Sequence, residues 1–386
     1  MRTLWWGLMW LVFSGAALPA VVAKSDGATT AVSADVALRV DRDIEWARPA
    51  GQPLRLDIYQ ASEPRGTLPQ LRAARSPDGT MARSGVSGAS SQTTLKRRGR
   101  PVLVMFHGGG WLINDRQIMR EAASYLAQHS NLLVVNVDYR LLGAANNSTR
   151  LDQIVNDALG AVVWVRQHIA DYGGDPTRVA VTGDSAGAHL AAMVLYAPDL
   201  LAPPAPANDQ VATRPLRFWP SGVAETQPIP LLQQALQVQA AVLSYGVFDV
   251  TARAEQGFET ASNGFWLWAG LTPRGLFGPA ITVAQHRAWY DAVSPIQQIK
   301  PASERRLPPQ LLHVGTRDTT TPVAAIYAYA QALQRAAQPV QVQVFAGLNH
   351  AYLDNGCNQA LQMCFARDAI EPLQQMLLFL QNELGD

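Results

Sequence analysis

The chain of 386 residues has little cysteine, little histidine and almost no excess charge. It contains two cysteines and seven histidines, and its 31 Lys and Arg against 30 Asp and Glu leave a formal net charge of +1. This balance argues against the extended basic face of a nucleic-acid-binding protein, and the basic cluster at residues 96–100 lies in a polar linker. The two cysteines have no nearby histidine to complete a metal site. We therefore expect no nucleic-acid partner, no metal and no cofactor.

Long apolar runs are also lacking. After Arg2, the apolar run at residues 4–13 is too short for a membrane span, and small residues follow it up to residue 23. This order is typical of a secretory signal peptide, which we predict at residues 1–23 with cleavage after Ala20 or Ala23. The protein would then be exported, to the periplasm or the medium. An uncleaved N-terminal anchor is the alternative, and only that anchor would bring the protein to a membrane.

The chain has ample material for a core. Hydrophobic residues make up 48% and charged residues 16% of it, so residues 24–386 suit one large domain. Helical patterns such as residues 152–170 separate most of the strand-like runs. This alternation predicts the α/β class, with a mainly parallel central sheet and helices on both faces. The strand-like runs are residues 54–59, 102–106, 132–137, 179–182, 240–245, 311–314 and 340–345.

The pentapeptide GDSAG at residues 183–187 lies between a strand-like run and a helix-like run. A serine hydroxyl is a poor nucleophile until a base takes its proton and a strained turn holds its Oγ away from the backbone. Glycines two positions before and after Ser185 leave room for such a turn. The pattern predicts a nucleophile elbow with Ser185 as the nucleophile.

A glycine-rich loop, HGGGW at residues 107–111, follows the apolar run that ends at residue 106. Three glycines after a strand let the backbone turn its N–H groups toward one point. Two such N–H groups, together with the N–H of Ala186 after the nucleophile, would form an oxyanion hole. A flexible loop without this function is the alternative.

The acid and the base are expected after the serine, at the carboxyl ends of strands. Only two of the histidines lie late in the chain, and His313 falls inside an apolar strand-like run, where a buried histidine is expected. His350 follows the last strand-like run, and Asp318 follows the run before it. The sequence thus predicts a triad of Ser185, Asp318 and His350. Asp318 could instead cap the helix predicted around residues 324–336.

The two glycine motifs resemble the paired signatures of the hormone-sensitive-lipase-like esterases, the GDXG branch of the α/β hydrolases. Residues 56–59 and Trp111 resemble a sub-branch that includes feruloyl and acetylxylan esterases and kynurenine formamidases. Ala188 departs from the branch, which usually has glycine there. Further segments that resemble the branch are residues 137–141, 157–164 and 172–178.

The resemblance implies an α/β-hydrolase fold and assigns roles within the glycine loop. Gly109 and Gly110 would supply the oxyanion N–H groups, and His107 and Gly108 would organise the loop, with His107 not acting as the base.

Three insertions extend a minimal hydrolase, at about residues 61–100, 198–239 and 249–295. The last two are expected to form a lid or cap, since segments that leave the carboxyl ends of strands arch over the active site. Trp266 and Trp268 in the third insertion, with Trp111, are candidate pocket residues because their rings could stack on sugar or aryl groups. Alternatively, the aromatic residues of the insertion pack a small core of its own.

Cys357 and Cys364 are seven positions apart, and export would favour their pairing. On one continuous helix they would be about 10.5 Å apart, beyond the ~7 Å between α-carbons that a disulfide tolerates. A bonded pair therefore requires the segment to bend, and it would rigidify the loop that carries His350. Two free thiols are the alternative.

Together these features predict a serine carboxylic-ester hydrolase that acts on small-molecule short-acyl, aryl or sugar esters. An amidase or formamidase would use the same triad. A non-catalytic binding protein of the same fold is the more remote alternative, since a fold does not determine a function.

Overall fold

The computed structural model describes residues 37–62, 98–203 and 216–385. The predicted signal peptide, most of the insertion at 61–100 and part of the insertion at 198–239 lie outside the described residues.

The sheet is built from β1 (Leu38–Ala47), β2 (Leu54–Ala61), β3 (Arg100–Phe106), β4 (Leu133–Val137), β5 (Gly174–Asp184), β6 (Ala241–Ser244), β7 (Gln310–Gly315) and β8 (Val340–Phe345), and a separate pair comprises β9 (Cys357–Asn358) and β10 (Met363–Cys364). The helices in the described part are α1 (Arg120–Gln128), α2 (Ala144–Asn147), α3 (Leu151–His168), α4 (Ala186–Tyr196), α5 (Ile229–Ala235), α6 (Val250–Glu255), α7 (Gly264–Trp268), α8 (Arg287–Ala292), α9 (Val323–Arg335), α10 (Phe365–Asp368) and α11 (Ile370–Leu384).

The eight strands of the sheet follow the order β1-β2-β4-β3-β5-β6-β7-β8. The pairings from β4 through β8 are parallel, and β2 is antiparallel to both of its neighbours. The predicted α/β-hydrolase architecture with a mainly parallel sheet is confirmed. The sequence did not indicate β1, a partly exposed edge strand in which charged and apolar residues are mixed.

Alternate residues of each strand supply two separate cores, one on each face of the sheet. On β3, Val102 and Val104 belong to one core and Leu103 and Met105 to the other, as the two-residue period of a strand requires. The first core also contains α3, α4 and α9, and the second contains α1 and α11. Burial on both faces explains why the central strands have nearly continuous apolar sequences.

Parallel strands bring several loops to one edge of the sheet. Ser185 directly follows β5, Asp318 follows β7 by three residues, and His350 follows β8 by five. The segment between β6 and β7 contains α6, α7 and α8 at the same edge. In the part of the chain that is described, no helix combines the length and apolarity that a membrane crossing needs.

His313 is fully buried on β7, as its apolar surroundings predicted. Burial lowers its pKa to about 3, although Gln343 opposite it on β8 offsets this effect in part. In the unfolded chain His313 binds a proton as the pH falls below about 6.5, whereas in the folded protein the buried ring stays neutral. Protonation therefore favours the unfolded state, and the free energy of unfolding decreases as the pH falls below about 6.5.

Replacing His313 by leucine should remove this sensitivity. Wild type should lose about 2 kcal/mol more unfolding free energy than His313→Leu when the pH is lowered from 8 to 5. The difference corresponds to the one proton that His313 binds only in the unfolded chain. Urea unfolding at the two pH values measures the difference. The control is His129→Gln, which alters an exposed histidine, and an unchanged pH dependence in His313→Leu would contradict the assignment.

Candidate active site

Ser185 occupies a sharp turn between β5 and α4. Its backbone angles are φ 52° and ψ −116°, a conformation that non-glycine residues rarely adopt. A side chain on Gly187 would collide with the carbonyl oxygen of Phe106 on β3, and one on Gly183 would collide with the backbone of Gly187. Only glycine fits at either position, so the turn can pack tightly against the neighbouring strand.

The structure brings Ser185, His350 and Asp318 together in one hydrogen-bonded line. His350 Nε2 lies 2.9 Å from Ser185 Oγ, and His350 Nδ1 lies 2.8 Å from Asp318 Oδ2. The imidazole is 6% exposed and the carboxylate fully buried. With a proton on Nδ1 donated to Asp318, Nε2 is left free to accept the serine proton.

The carboxylate of Asp318 is held by its own loop. Its Oδ1 accepts hydrogen bonds from the backbone N–H groups of Thr320 and Thr321, each at 2.8 Å, and its Oδ2 accepts one from Thr321 Oγ1 at 3.0 Å. Asp318 does not cap α9, because that helix starts after Pro322 and has no side-chain cap. The carboxylate therefore keeps one fixed orientation toward His350.

Two stacked rings, those of His107 and Tyr139, hold the glycine loop in place. The ring of His107 stacks on that of Tyr139 with centroids 4.3 Å apart, and its Nδ1–H donates to the Gly108 carbonyl at 2.8 Å. The Tyr139 hydroxyl donates to the His107 carbonyl at 2.6 Å. Burial lowers the pKa of His107, which favours the neutral ring, and the hydrogen bond to Gly108 places its one proton on Nδ1.

The loop then turns through three residues with positive φ, Gly109 at 113°, Gly110 at 61° and Trp111 at 60°. Among the described residues, the N–H groups of Gly109, Gly110 and Ala186 have no hydrogen-bond acceptor. These three donors are the ones that the sequence assigned to an oxyanion hole, and that role stays a prediction.

Sequence reasoning missed Asp184, whose carboxylate packs directly against the α-carbon of Gly108. Burial raises its pKa to about 7, and the nearby His350, the Gly108 N–H and the Tyr245 hydroxyl offset that effect in part. Burial and the charge of Asp184 also raise the pKa of Asp354. The pentapeptide GDSAG contained the signal, since an acidic residue between a buried strand and the nucleophile needs a partner.

Two of the three tryptophans predicted for the pocket lie in the core. Trp111 has no exposed surface and contacts Phe258 edge to face, and Trp266 is 1% exposed and donates its indole N–H to the Phe258 carbonyl at 2.8 Å. Both rings have almost no exposed surface, which favours the alternative of packing in the core, and their role in a pocket stays a prediction. Trp268 is 67% exposed, and its pocket role stays a prediction. Phe265 is another aromatic residue of the same insertion, and its ring lies 3.0 Å from the position that a β-carbon on Gly110 would occupy.

A disulfide joins Cys357 to Cys364 across the β9–β10 hairpin, which supplies the bend that the spacing required. The hairpin also supports the loop that carries His350. Asn349 donates its backbone N–H to Met363 Sδ at 3.2 Å and its side chain to the Leu361 carbonyl at 3.2 Å. In the described ranges, no group of three or more His, Cys, Asp or Glu side chains could hold a metal ion.

Comparison with curated proteins finds esterases. Carboxylesterase NlhH from Mycobacterium tuberculosis is 33% identical over 151 residues, which cover 39% of this chain and 46% of NlhH. Esterase LipQ from the same organism is 29% identical over 261 residues, which cover 66% of this chain and 51% of LipQ. The chain spans about half the length of these two relatives.

Comparison with solved structures supports the fold. The apo form of Thermogutta terrifontis esterase 2 aligns with a TM-score of 0.55 at 22% identity, over 90% of this chain and 94% of that one.

The sequence model of a family described as the alpha/beta hydrolase fold matches residues 103–354. The match covers more than half of the chain and includes the glycine loop, the elbow, Asp318 and His350. The chain therefore belongs to the α/β-hydrolase-fold family, in its hormone-sensitive-lipase-like branch.

Proposed function

We propose that the protein hydrolyses carboxylic esters of small molecules by a Ser-His-Asp mechanism. The observation that carries the proposal is the hydrogen-bonded line from Ser185 Oγ through His350 to Asp318 Oδ2, with two contacts of 2.9 and 2.8 Å. The names of the curated relatives, carboxylesterase and esterase, support the same reaction.

In the first step His350 Nε2 accepts the proton of Ser185 as Oγ attacks the ester carbonyl carbon. Asp318 orients the ring and stabilises the imidazolium that forms. The imidazolium then gives its proton to the leaving alcohol, and an acyl-serine remains. Water repeats the sequence: His350 accepts a water proton, the hydroxyl attacks the acyl carbon, and Ser185 leaves with the proton as the acid is released.

The negative charge that develops on the carbonyl oxygen needs donors fixed in advance. The unpaired N–H groups of Gly109, Gly110 and Ala186 would supply them, and the N-terminus of α4 adds a favourable dipole. Each such donor is worth about 3 to 4 kcal/mol in the transition state.

The surroundings of Ser185 favour a short acyl group. Ser185 is only 5% exposed, and the ring of Phe265 from α7 covers Gly110. We infer that the insertion between β6 and β7 acts as a cap over the site, and that Phe265 limits the group that reaches the glycine loop.

We also propose that the protein works outside the cytoplasm. The apolar N-terminal sequence and the disulfide between Cys357 and Cys364 support this location, because disulfides persist in oxidising compartments.

Removing the nucleophile tests the proposal. Ser185→Ala should lower kcat for p-nitrophenyl acetate by about 10⁵- to 10⁶-fold, because the triad acts as a unit. The matched control is Ser244→Ala, a buried serine on the adjacent strand whose hydroxyl has no partner among the described residues. The control should keep most of the activity. A kcat of Ser185→Ala within about 100-fold of wild type would refute the assignment.

Asp318→Asn tests the orienting role of the acid. The amide oxygen can still accept the N–H groups of Thr320 and Thr321, but the amide N–H would face His350 Nδ1 and impose the wrong tautomer. We expect kcat to fall by about 10⁴-fold with little change in KM. Steady-state kinetics measure both, with Asp199→Asn, which removes a carboxylate from an ion pair with Lys300, as the control. An Asp318→Asn enzyme as fast as this control would show that Asp318 does not orient the base.

A further inference from the structure

A cavity of about 320 Å³ lies beside the loop that carries Asp318. Thr321 lines it, and the Thr321 Oγ1 atom is 3.0 Å from Asp318 Oδ2 and 3.3 Å from His350 Nδ1. Gly246 lines another wall and directly follows Tyr245, whose ring centroid is 4.8 Å from that of His350. The cavity is therefore adjacent to the proposed triad on its Asp318 side.

Most of the cavity wall is apolar, with Val247, Phe248 and Ile296 among its residues, but Arg253 of α6 also lines it. The guanidinium of Arg253 lies 5.8 Å from the ring centroid of Phe258 and makes no hydrogen bond or ion pair to another described residue. Burial lowers the pKa of Arg253. A partly desolvated cation to which no carboxylate is hydrogen-bonded is costly, and an anion bound to it in the cavity would relieve that cost.

The acidic groups around Arg253, including Asp249, which also lines the cavity, make their hydrogen bonds and ion pairs with other residues. Asp249 caps α6 by accepting the N–H of Ala252 at 2.9 Å, and Glu255 pairs with Arg287 at 2.6 Å. Asp318, whose charge also acts on Arg253, is bound by its own loop and by His350.

The N-terminal turn of α9 contributes to the same wall. It has no side-chain cap and no acidic residue in its first turn, so its dipole adds to the positive potential of Arg253.

We propose that Arg253 binds a carboxylate carried by the substrate, so that the preferred substrates are esters with a second, anionic group on their acyl or alcohol part. The inference rests on the proposed esterase function and names its substrate class. A guanidinium group binds a carboxylate through two parallel hydrogen bonds, and the apolar walls accommodate the short chain between the carboxylate and the ester.

Two matched pairs of esters test the proposal. Mono-p-nitrophenyl glutarate and p-nitrophenyl valerate differ by a carboxylate on the acyl side, and 4-acetoxybenzoate and its methyl ester differ by one on the alcohol side. In one of the pairs, Arg253→Gln should lower kcat/KM for the anionic ester by about 10- to 100-fold, mainly through KM, and leave its neutral partner unchanged. The pair that responds identifies the side of the ester that enters the cavity.

Arg253→Lys and Arg287→Gln are the controls. Lysine keeps the charge but loses the planar fork, so it should retain part of the preference. Arg287→Gln removes an exposed arginine of α8 that is already paired with Glu255, and it should leave both pairs unchanged. Equal effects of Arg253→Gln on anionic and neutral esters, or no effect on either, would overturn the proposal.

A binding measurement tests the role of Arg253 independently of whether the protein hydrolyses esters. Calorimetric titration of monomethyl glutarate and methyl valerate, and of 4-acetoxybenzoate and its methyl ester, into Ser185→Ala, with and without Arg253→Gln, does not require turnover. A preference for the anionic ester that disappears with Arg253→Gln supports the cavity even if wild type hydrolyses no ester. Equal affinities of the two proteins for all four compounds refute it, even if wild type hydrolyses neutral esters.

Discussion

The contact on which the site depends is the hydrogen bond from His350 Nδ1 to Asp318 Oδ2, at 2.8 Å. It joins the loops after β7 and β8, and it decides which imidazole nitrogen faces Ser185. Each partner is fixed independently, Asp318 by Thr320 and Thr321 and the His350 loop by the disulfide-closed hairpin. Both loops leave the carboxyl edge of the parallel sheet from the adjacent strands β7 and β8, and this places the two side chains next to each other.

Two residues at the active site adopt states that lower the stability of the fold. Ser185 stays in a left-handed conformation, and Asp184 remains beside Gly108 with a pKa raised to about 7 by burial. The unfolded chain ionises Asp184 near pH 4, so this residue lowers stability as the pH rises from about 4 to 7, the opposite of the effect of His313. Such compromises concentrate at functional sites, where geometry takes precedence over stability.

Features that depend only on neighbouring residues in the sequence could be predicted. The apolar runs and their helical spacers located the seven strands from β2 to β8, and the glycines around Ser185 marked the turn because a sharp strand-to-helix turn excludes larger side chains. Residues whose environment is assembled from distant segments were not predictable. A tryptophan side chain fits a binding pocket and a hydrophobic core equally well, so the sequence does not distinguish the two for Trp111 and Trp266. Their contacts with Phe258 show that both lie in the core. The unpaired state of Arg253 likewise depends on where Asp249 and Glu255 find their partners.

The central claim is that His350 and Asp318 make the Ser185 hydroxyl nucleophilic, and covalent labelling tests it most directly. Diethyl p-nitrophenyl phosphate would form an Oγ–P bond as p-nitrophenolate leaves and His350 accepts the serine proton. Mass spectrometry of the digested protein should find one diethylphosphoryl group per chain, on the peptide that contains Ser185, and His350→Gln should not be labelled. Absence of the label from wild type, or labelling at another residue, would contradict the account.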